Sequence, residues 1–236
     1  MKVVLSIGGS VLVPDLDPGR VDAYAAAIRG LAEDHDVGVV VGGGAVAREY
    51  IETARTLGAN EIALDRIGIG VTRLNARLLI AALGEVAAPT PPAEYAEAGA
   101  AIRRGEVPVM GGTHPAHTTD AVSAALAEDA GADLLVYATS VPGVYSADPN
   151  EDDGAERYDE LTARQLVGVI ADLEMAAGAS APVDLLAAKI VERAGLDAIV
   201  LDGTDPETVV RAVETGEFEG TRIHPNGEGT VLPADE

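Results

Sequence analysis

Val37-Gly38-Val39-Val40-Val41-Gly42-Gly43-Gly44 is a short β-branched run that stops at three glycines. Such a run is apolar on both faces, as a strand covered by helices on both sides must be. The same sentence is written twice more. Val3–Ile7 ends at Gly8-Gly9-Ser10, and Val107–Met110 ends at Gly111-Gly112-Thr113. Between the strands the spacing turns helical: in 20–33, Val21, Tyr24, Ala25, Ile28 and Leu31 fall on one face. Further helices are expected over about 45–57, 60–83, 93–103, 121–130, 162–172, 183–194 and 206–215. Further strands are expected near 86–88, 134–138 and 198–201, with 221–223 closing an edge. Alternation of this kind predicts an α/β fold: a three-layer α/β/α sandwich around a mostly parallel sheet.

The segment 139–160 breaks the alternation with Pro142, Gly143, Pro149, Gly154 and the acids Glu151, Asp152 and Asp153. It reads as a loop excursion carrying a small hairpin. Residues 1–224 are taken as one domain, with lobes at about 1–135 and 136–224, and 225–236 as a loose tail.

The composition excludes several functions. There are 39 Asp and Glu against 16 Lys and Arg, a formal net charge of −23. Nucleic-acid phosphates and anionic membranes would repel such a chain, so neither is an expected partner. The absence of cysteine removes disulfides, thiolate zinc sites and a Cys nucleophile. No apolar run approaches the roughly 20 residues that span a bilayer, and the N-terminus lacks a signal-peptide layout, so a cytoplasmic protein is expected. The lysines are two, Lys2 and Lys189. Acid excess with lysine scarcity suits a cytosol of molar salt, where the Debye length is about 3 Å and self-repulsion is screened. An ordinary acidic protein with a basic partner is the alternative; it leaves the lysine scarcity unexplained.

Glycines at the carboxyl ends of parallel strands let backbone N–H groups approach phosphate oxygens, and a following helix offers its positive end. One such loop is often just a turn; three on one sheet edge predict a ligand with several phosphates or two phosphorylated ligands. Neither GxxxxGK[ST] nor GxGxxG with its distal acid is present. The stretch Gly111-Gly112-Thr113-His114-Pro115-Ala116-His117-Thr118-Thr119-Asp120 is dense in hydroxyls and imidazoles, and Thr118 or Thr119 could cap the helix that follows. His114 and His117 could be read as a metal pair, but no third ligand stands in obvious spacing, and a neutral contact to substrate or backbone is the competing reading.

Taken with IGGSVLVP, VVVGGGAVAREYI, ALDRIGIGVTRLNARLLIAAL, ATSVPGVYSADP and APVDLLAAKIVERAG, that stretch resembles the archaeal type of uridylate (UMP) kinase, a branch of the amino acid kinase superfamily. The likeness runs over about 2–223. It implies transfer of the ATP γ-phosphoryl to UMP with Mg²⁺ as cofactor, and a homohexamer. Residue by residue, it implies that Gly9, Ser10, Gly44 and Arg48 hold ATP phosphates, while Thr139, Tyr145 and Asp148 border the adenosine. Gly43 and Asp65 would contact UMP, and Thr113, His114, Pro115, Ala116, His117, Thr118 and Thr119 would wrap it. Lys189, Asp120 and Asp184 would stand near the transferring phosphoryl; no protein metal ligand is implied beyond that, the Mg²⁺ being held mainly by phosphates. Bland readings compete: Asp65 as one surface acid among many, Tyr145 as packing, Asp148 as a turn residue, Lys189 as a solvated helix residue. Many relatives carry a lysine where this chain has Ser6, and relatives usually read Thr-Asn-Val-Asp-Gly-Val-Tyr where it has Thr139-Ser140-Val141-Pro142-Gly143-Val144-Tyr145. A sister kinase acting on isopentenyl phosphate or an amino acid, or a nucleotide sensor without catalysis, are the rival readings.

Overall fold

The computed structural model describes residues 1–149, 152, 154–175 and 183–225. The strands are β1 (Lys2–Ile7), β2 (Asp36–Val41), β3 (Val109–Met110), β4 (Leu134–Thr139), β5 (Val144–Tyr145), β6 (Arg157–Tyr158), β7 (Glu160–Thr162), β8 (Ala198–Asp202) and β9 (Gly220–His224). The helices are α1 (Gly9–Leu12), α2 (Pro18–Asp34), α3 (Gly44–Thr56), α4 (Glu61–Leu83), α5 (Tyr95–Arg103), α6 (Thr119–Ala130), α7 (Ala163–Met175), α8 (Leu185–Ala194) and α9 (Pro206–Thr215).

Seven of the described strands form one sheet in the order β3-β2-β1-β4-β8-β9-β7. All neighbours are parallel except β8 and β9. Strand alternation splits the core in two. Val3, Leu5 and Ile7 face α2, α4 and α9, packing with Ile28, Leu79 and Val209. Val4 and Tyr137 face the other way, toward α6, α7 and α8, packing with Leu126, Ile170 and Val191. Each large aliphatic so buried stabilises the fold by about 1.5–3 kcal/mol. The result is the expected three-layer α/β/α sandwich, and Ser6 is thereby turned to the α6 side.

Acids start many of the helices: Asp17, Asp184 and Asp205 cap α2, α8 and α9, joined by Asn60 on α4 and Thr118 on α6. Each accepts a backbone N–H that would otherwise lack a partner. α6, α8 and α9 end on Gly131, Gly195 and Gly216 in the left-handed conformation.

Four details depart from the sequence reading. The strand expected at 86–88 is a single bridge, Ala87 to Val107. β3 is confined to Val109–Met110, because Pro108 has no N–H to give a ladder. The strand at 220–224 is interior, between β8 and β9's other neighbour β7. The true edge, β7, is three residues long and buries one apolar side chain, Leu161, which is too short to show a period. Finally, α4 with its extension to Val86 is apolar and long enough by composition to cross a membrane. Its Leu64, Val71, Ala76, Leu79 and Leu83 face the protein interior, while Ile62, Leu74 and Leu78 are exposed. The expected hairpin in 139–160 is β5 with β6. Glu151 and Asp153, and the tail from 226 onward, lie outside the described residues.

Candidate active site

The carboxyl ends of β1 and β2 are locked together through glycine. A Cβ on Gly9 would stand 2.1 Å from the Gly44 nitrogen and 2.5 Å from the Gly43 carbonyl carbon. Gly44 itself has φ +66°, and its Cβ would meet Gly9 at 2.7 Å. α1 and α3 therefore begin side by side, with their first N–H groups at one point. Arg48, one turn into α3, donates to Ser10 Oγ at 3.4 Å. Its guanidinium is exposed and, among the described residues, has no carboxylate within 4 Å, in a chain with 39 acids. Gly9, Ser10, Gly44 and Arg48 are thus brought together, and Gly43 borders them.

α4 fastens the other two glycine loops. Asn75 Nδ2 donates to the Gly42 carbonyl at 2.8 Å and to the Gly43 carbonyl at 3.3 Å. Thr72 Oγ1 accepts from Gly112 N at 2.7 Å and donates to the Ile69 carbonyl at 2.8 Å. Both side chains are buried. The sequence reading missed them; the available signal was two polar residues, three apart, on the apolar face of a helix.

From Gly112 the chain runs into the hydroxyl-rich segment. His117 N donates to the His114 carbonyl at 3.2 Å, closing a turn with Pro115 second and Ala116 third. Ala116 has φ +65°, a conformation a side chain disfavours, as in a type II turn. Asp65 on α4 holds it there: its Oδ2 accepts from Ala116 N at 2.8 Å. The His114 and His117 rings stand edge-on with centres 6.0 Å apart. The described residues contain no cluster of three His, Asp or Glu side chains placed for a metal. Thr113 Oγ1 is buried without a hydrogen-bond partner in the protein. A buried hydroxyl left unpaired costs about 1–3 kcal/mol, a cost that a ligand removes.

Between this segment and the far side of the cleft lies an acidic centre. Asp120, in the first turn of α6, accepts from Ser6 Oγ at 3.4 Å. Burial first, then the Asp184 carboxylate, push the Asp120 carboxyl up to about 7, against hydrogen bonds from Ser6 and the Asp184 backbone. Asp184 Oδ1 accepts from Ala187 N at 3.0 Å and Oδ2 accepts from the Thr118 hydroxyl. Tyr137, fully buried beneath, donates to the Asp120 carbonyl at 3.4 Å. Burial and the two acids raise its phenol well above the usual range.

Lys189 is not drawn into that centre. It is exposed on α8, and its ammonium lies 3.5 Å from Glu192 one turn on. The other lysine has a structural post: Lys2 Nζ donates to the Ala130 carbonyl at the C-terminus of α6, at 2.5 Å. On the far rim, Thr139 ends β4, and its Oγ1 donates to the Val141 carbonyl and accepts from Val141 N. Tyr145 lies in β5 opposite Arg157 of β6. The Asp148 carbonyl accepts from Asp152 N at 2.9 Å. Thr221 of β9 carries this hairpin, accepting from Val144 N at 2.8 Å and donating to the Tyr158 carbonyl at 2.5 Å. Behind the rim a cleft of about 330 Å³ opens between Pro142, the start of α9 and Glu219; none of the residues predicted from sequence line it.

The model of the amino acid kinase family matches residues 1–202. The chain is 69% identical to a uridylate kinase of Haloarcula marismortui over 95% of this chain and 99% of that one. It is also similar to the crystal structure of a uridylate kinase from Archaeoglobus fulgidus, with a TM-score of 0.86 at 48% identity, covering 94% of this chain and 100% of that one. A UMP kinase of Bacillus anthracis shares the fold, with a TM-score of 0.79 at 22% identity over 96% of each chain.

Proposed function

The chain belongs to the amino acid kinase family, and from that premise we propose that it is a UMP kinase, transferring the γ-phosphoryl of ATP to UMP to give UDP and ADP. The observation that carries the acceptor side is the segment 113–119. Asp65 holds it in a strained turn, and the Thr113 hydroxyl, next to Gly111-Gly112, is buried without a partner in the protein. Likeness over nearly the whole chain to named uridylate kinases supports the same reading.

The residues divide the work as follows. Gly9, Ser10, Gly44 and Arg48 hold the ATP phosphates through the converging N–H groups and the Arg48 guanidinium, which has no carboxylate partner among the described residues. Gly43, Asp65 and Thr113–Thr119 hold UMP; Asp65 gives one oxygen to Ala116 and has the other for ribose hydroxyls. Thr139, Tyr145 and Asp148 border the adenosine. The acceptor lobe is then about 1–135 and the donor lobe about 136–224, although one sheet runs through both.

The acceptor oxygen needs no general base. A phosphate monoester has a second pKa of about 6 and is already ionised near neutral pH. The task is to align two crowded anions and neutralise their charge. Two carboxylates, Asp120 and Asp184, are a donor set that suits Mg²⁺, which keeps most of its sites for phosphate and water. When bound with ATP, the ion would supply charge neutralisation between the phosphates. Lys189, on its flexible stem, would swing from Glu192 to the transferred group.

The −23 charge and two lysines fit the cytosol of a salt-accumulating archaeon, and a homohexamer is the proposed assembly. The test is ADP release from Mg-ATP at molar KCl with UMP, CMP, AMP or isopentenyl phosphate. UMP is expected to be clearly preferred. Preference for another acceptor would place the chain with a sister kinase, and no turnover with any would make it a sensor.

A further inference from the structure

The role just given to the whole segment 113–119 does not suit Thr118. A hydroxyl has one proton to give. Thr118 spends its proton on Asp184 Oδ2 and uses a lone pair to accept Ala121 N at 3.1 Å. The oxygens of a phosphate dianion are acceptors only, so Thr118 has no donor left for them. Each oxygen of Asp184 accepts one bond, from Ala187 N and from Thr118, and keeps a further lone pair.

Thr118 is the N-cap of α6 and Asp184 is the N-cap of α8. The two caps are bonded to each other across 66 positions of sequence. α6 and α8 pack in one core through Val122, Leu126, Ala188 and Val191, and their positive ends open at the same place. One cap belongs to the acceptor segment and the other to the helix that carries Lys189. Asp184 also stands beside Asp120, whose like charge repels it. The Thr118 hydroxyl supplies a side-chain donor that keeps the carboxylate turned into the cleft.

We propose, on the basis of the phosphoryl-transfer reading above, that the Thr118 side chain has a positioning role: it fixes the Asp184 carboxylate and ties the acceptor loop to α8, and its hydroxyl gives no hydrogen bond to UMP.

The test uses the full chain at molar KCl. Thr118→Val and Thr118→Gly remove the hydroxyl, Thr118→Ser keeps it, and each is also combined with Asp184→Asn. Glycine is nearly as good an N-cap as threonine, so the glycine variant keeps the helix start if the valine variant does not fold. The hydrogen bond to a carboxylate is charge-assisted, so kcat is expected to fall about tenfold or more in both variants. KM for UMP stays within about twofold, and serine restores kcat. On the Asp184→Asn background the same changes cost less than about twofold, because the partner they act through is gone. KM for UMP rising by the same factor in both backgrounds would overturn the proposal in favour of direct substrate contact. A loss that multiplies fully with Asp184→Asn and follows thermal stability would reduce Thr118 to a cap. If the wild-type enzyme prefers another acceptor, the UMP reading falls, and the coupling measured with that acceptor still decides the role of Thr118.

Discussion

At Gly9 an added Cβ would lie 2.1 Å from a backbone nitrogen, while at Asp120 a carboxyl beside a second carboxylate is pushed up to about 7. The two places stand at the carboxyl ends of the strands of one sheet. The glycine shelf offers backbone N–H groups, which neither titrate nor need charged side chains. The acidic centre brings together two side-chain carboxylates, which repel each other when both are ionised. In a chain of net charge −23 this contrast has a reason. Backbone dipoles bind anions at any net charge, so the shelf is indifferent to the acid excess.

The largest expected effect breaks the shelf. Gly9→Ala cannot be accommodated by a rotamer, since the atoms it meets are the backbone of Gly42, Gly43 and Gly44. The loops must part. The cost is expected at the upper end of the roughly 1–3 kcal/mol of an overpacked core, seen as a fall in the denaturation midpoint. Activity drops at least about 100-fold, because misplacing such a site by 1 Å costs that much. An active Gly9→Ala enzyme would show that the shelf is pliable and remove the contrast.

Next comes the cation nearest the acidic centre in sequence. Lys189 is exposed and its pair with Glu192 is a surface pair, worth about 0.2–1 kcal/mol at most and less in high salt. Lys189→Ala is therefore expected to leave thermal stability nearly unchanged. If the ammonium reaches the transferred phosphoryl, kcat falls about 100-fold, with KM for UMP little altered. Equal changes in kcat and KM, or none, would leave Lys189 as the solvated helix residue it is in the free protein.

How much of this was legible in the sequence follows the same division. The shelf was readable, because a buried strand followed by glycine is a local pattern and three such patterns must share one sheet edge. Strands β1, β2, β4 and β8 were visible for the same reason. β7 was not, since three residues carry no period and its place is fixed by β9, about 60 positions away. Thr72 and Asn75 were hidden because they act by facing inward from a helix whose apolar residues dominate its pattern. The Thr118–Asp184 bond joins a cap that was readable, Thr118, to one that was not, Asp184, which fell inside the helix expected over 183–194; their meeting depends on the packing of α6 on α8. The sequence likeness named Lys189 as part of the centre, while in the structure its ammonium points along its own helix.

The smallest expected effect sharpens the contrast from the other side. In the unfolded chain Asp120 has an ordinary pKa of about 3.9. In the folded protein it holds its proton to about 7. Below about pH 4 both states are protonated and the group adds no penalty. Between about 4 and 7 the folded state binds the extra proton, so stability falls as pH rises. Above 7 the folded protein carries the full cost of a buried, repelled carboxylate. Asp120→Asn removes that cost and keeps the shape. Its melting temperature in molar KCl, without nucleotides, is expected to match the wild type only at about pH 4 and below and to exceed it increasingly up to pH 8. The gain is of order 1 kcal/mol or more. The carboxylates away from Asp120 and Asp184 titrate alike in both proteins and cancel in the difference. A variant less stable than the wild type at pH 8 would mean that the Asp120 carboxylate is held by a favourable partner. The centre would then be as settled in the free protein as the glycine shelf beside it.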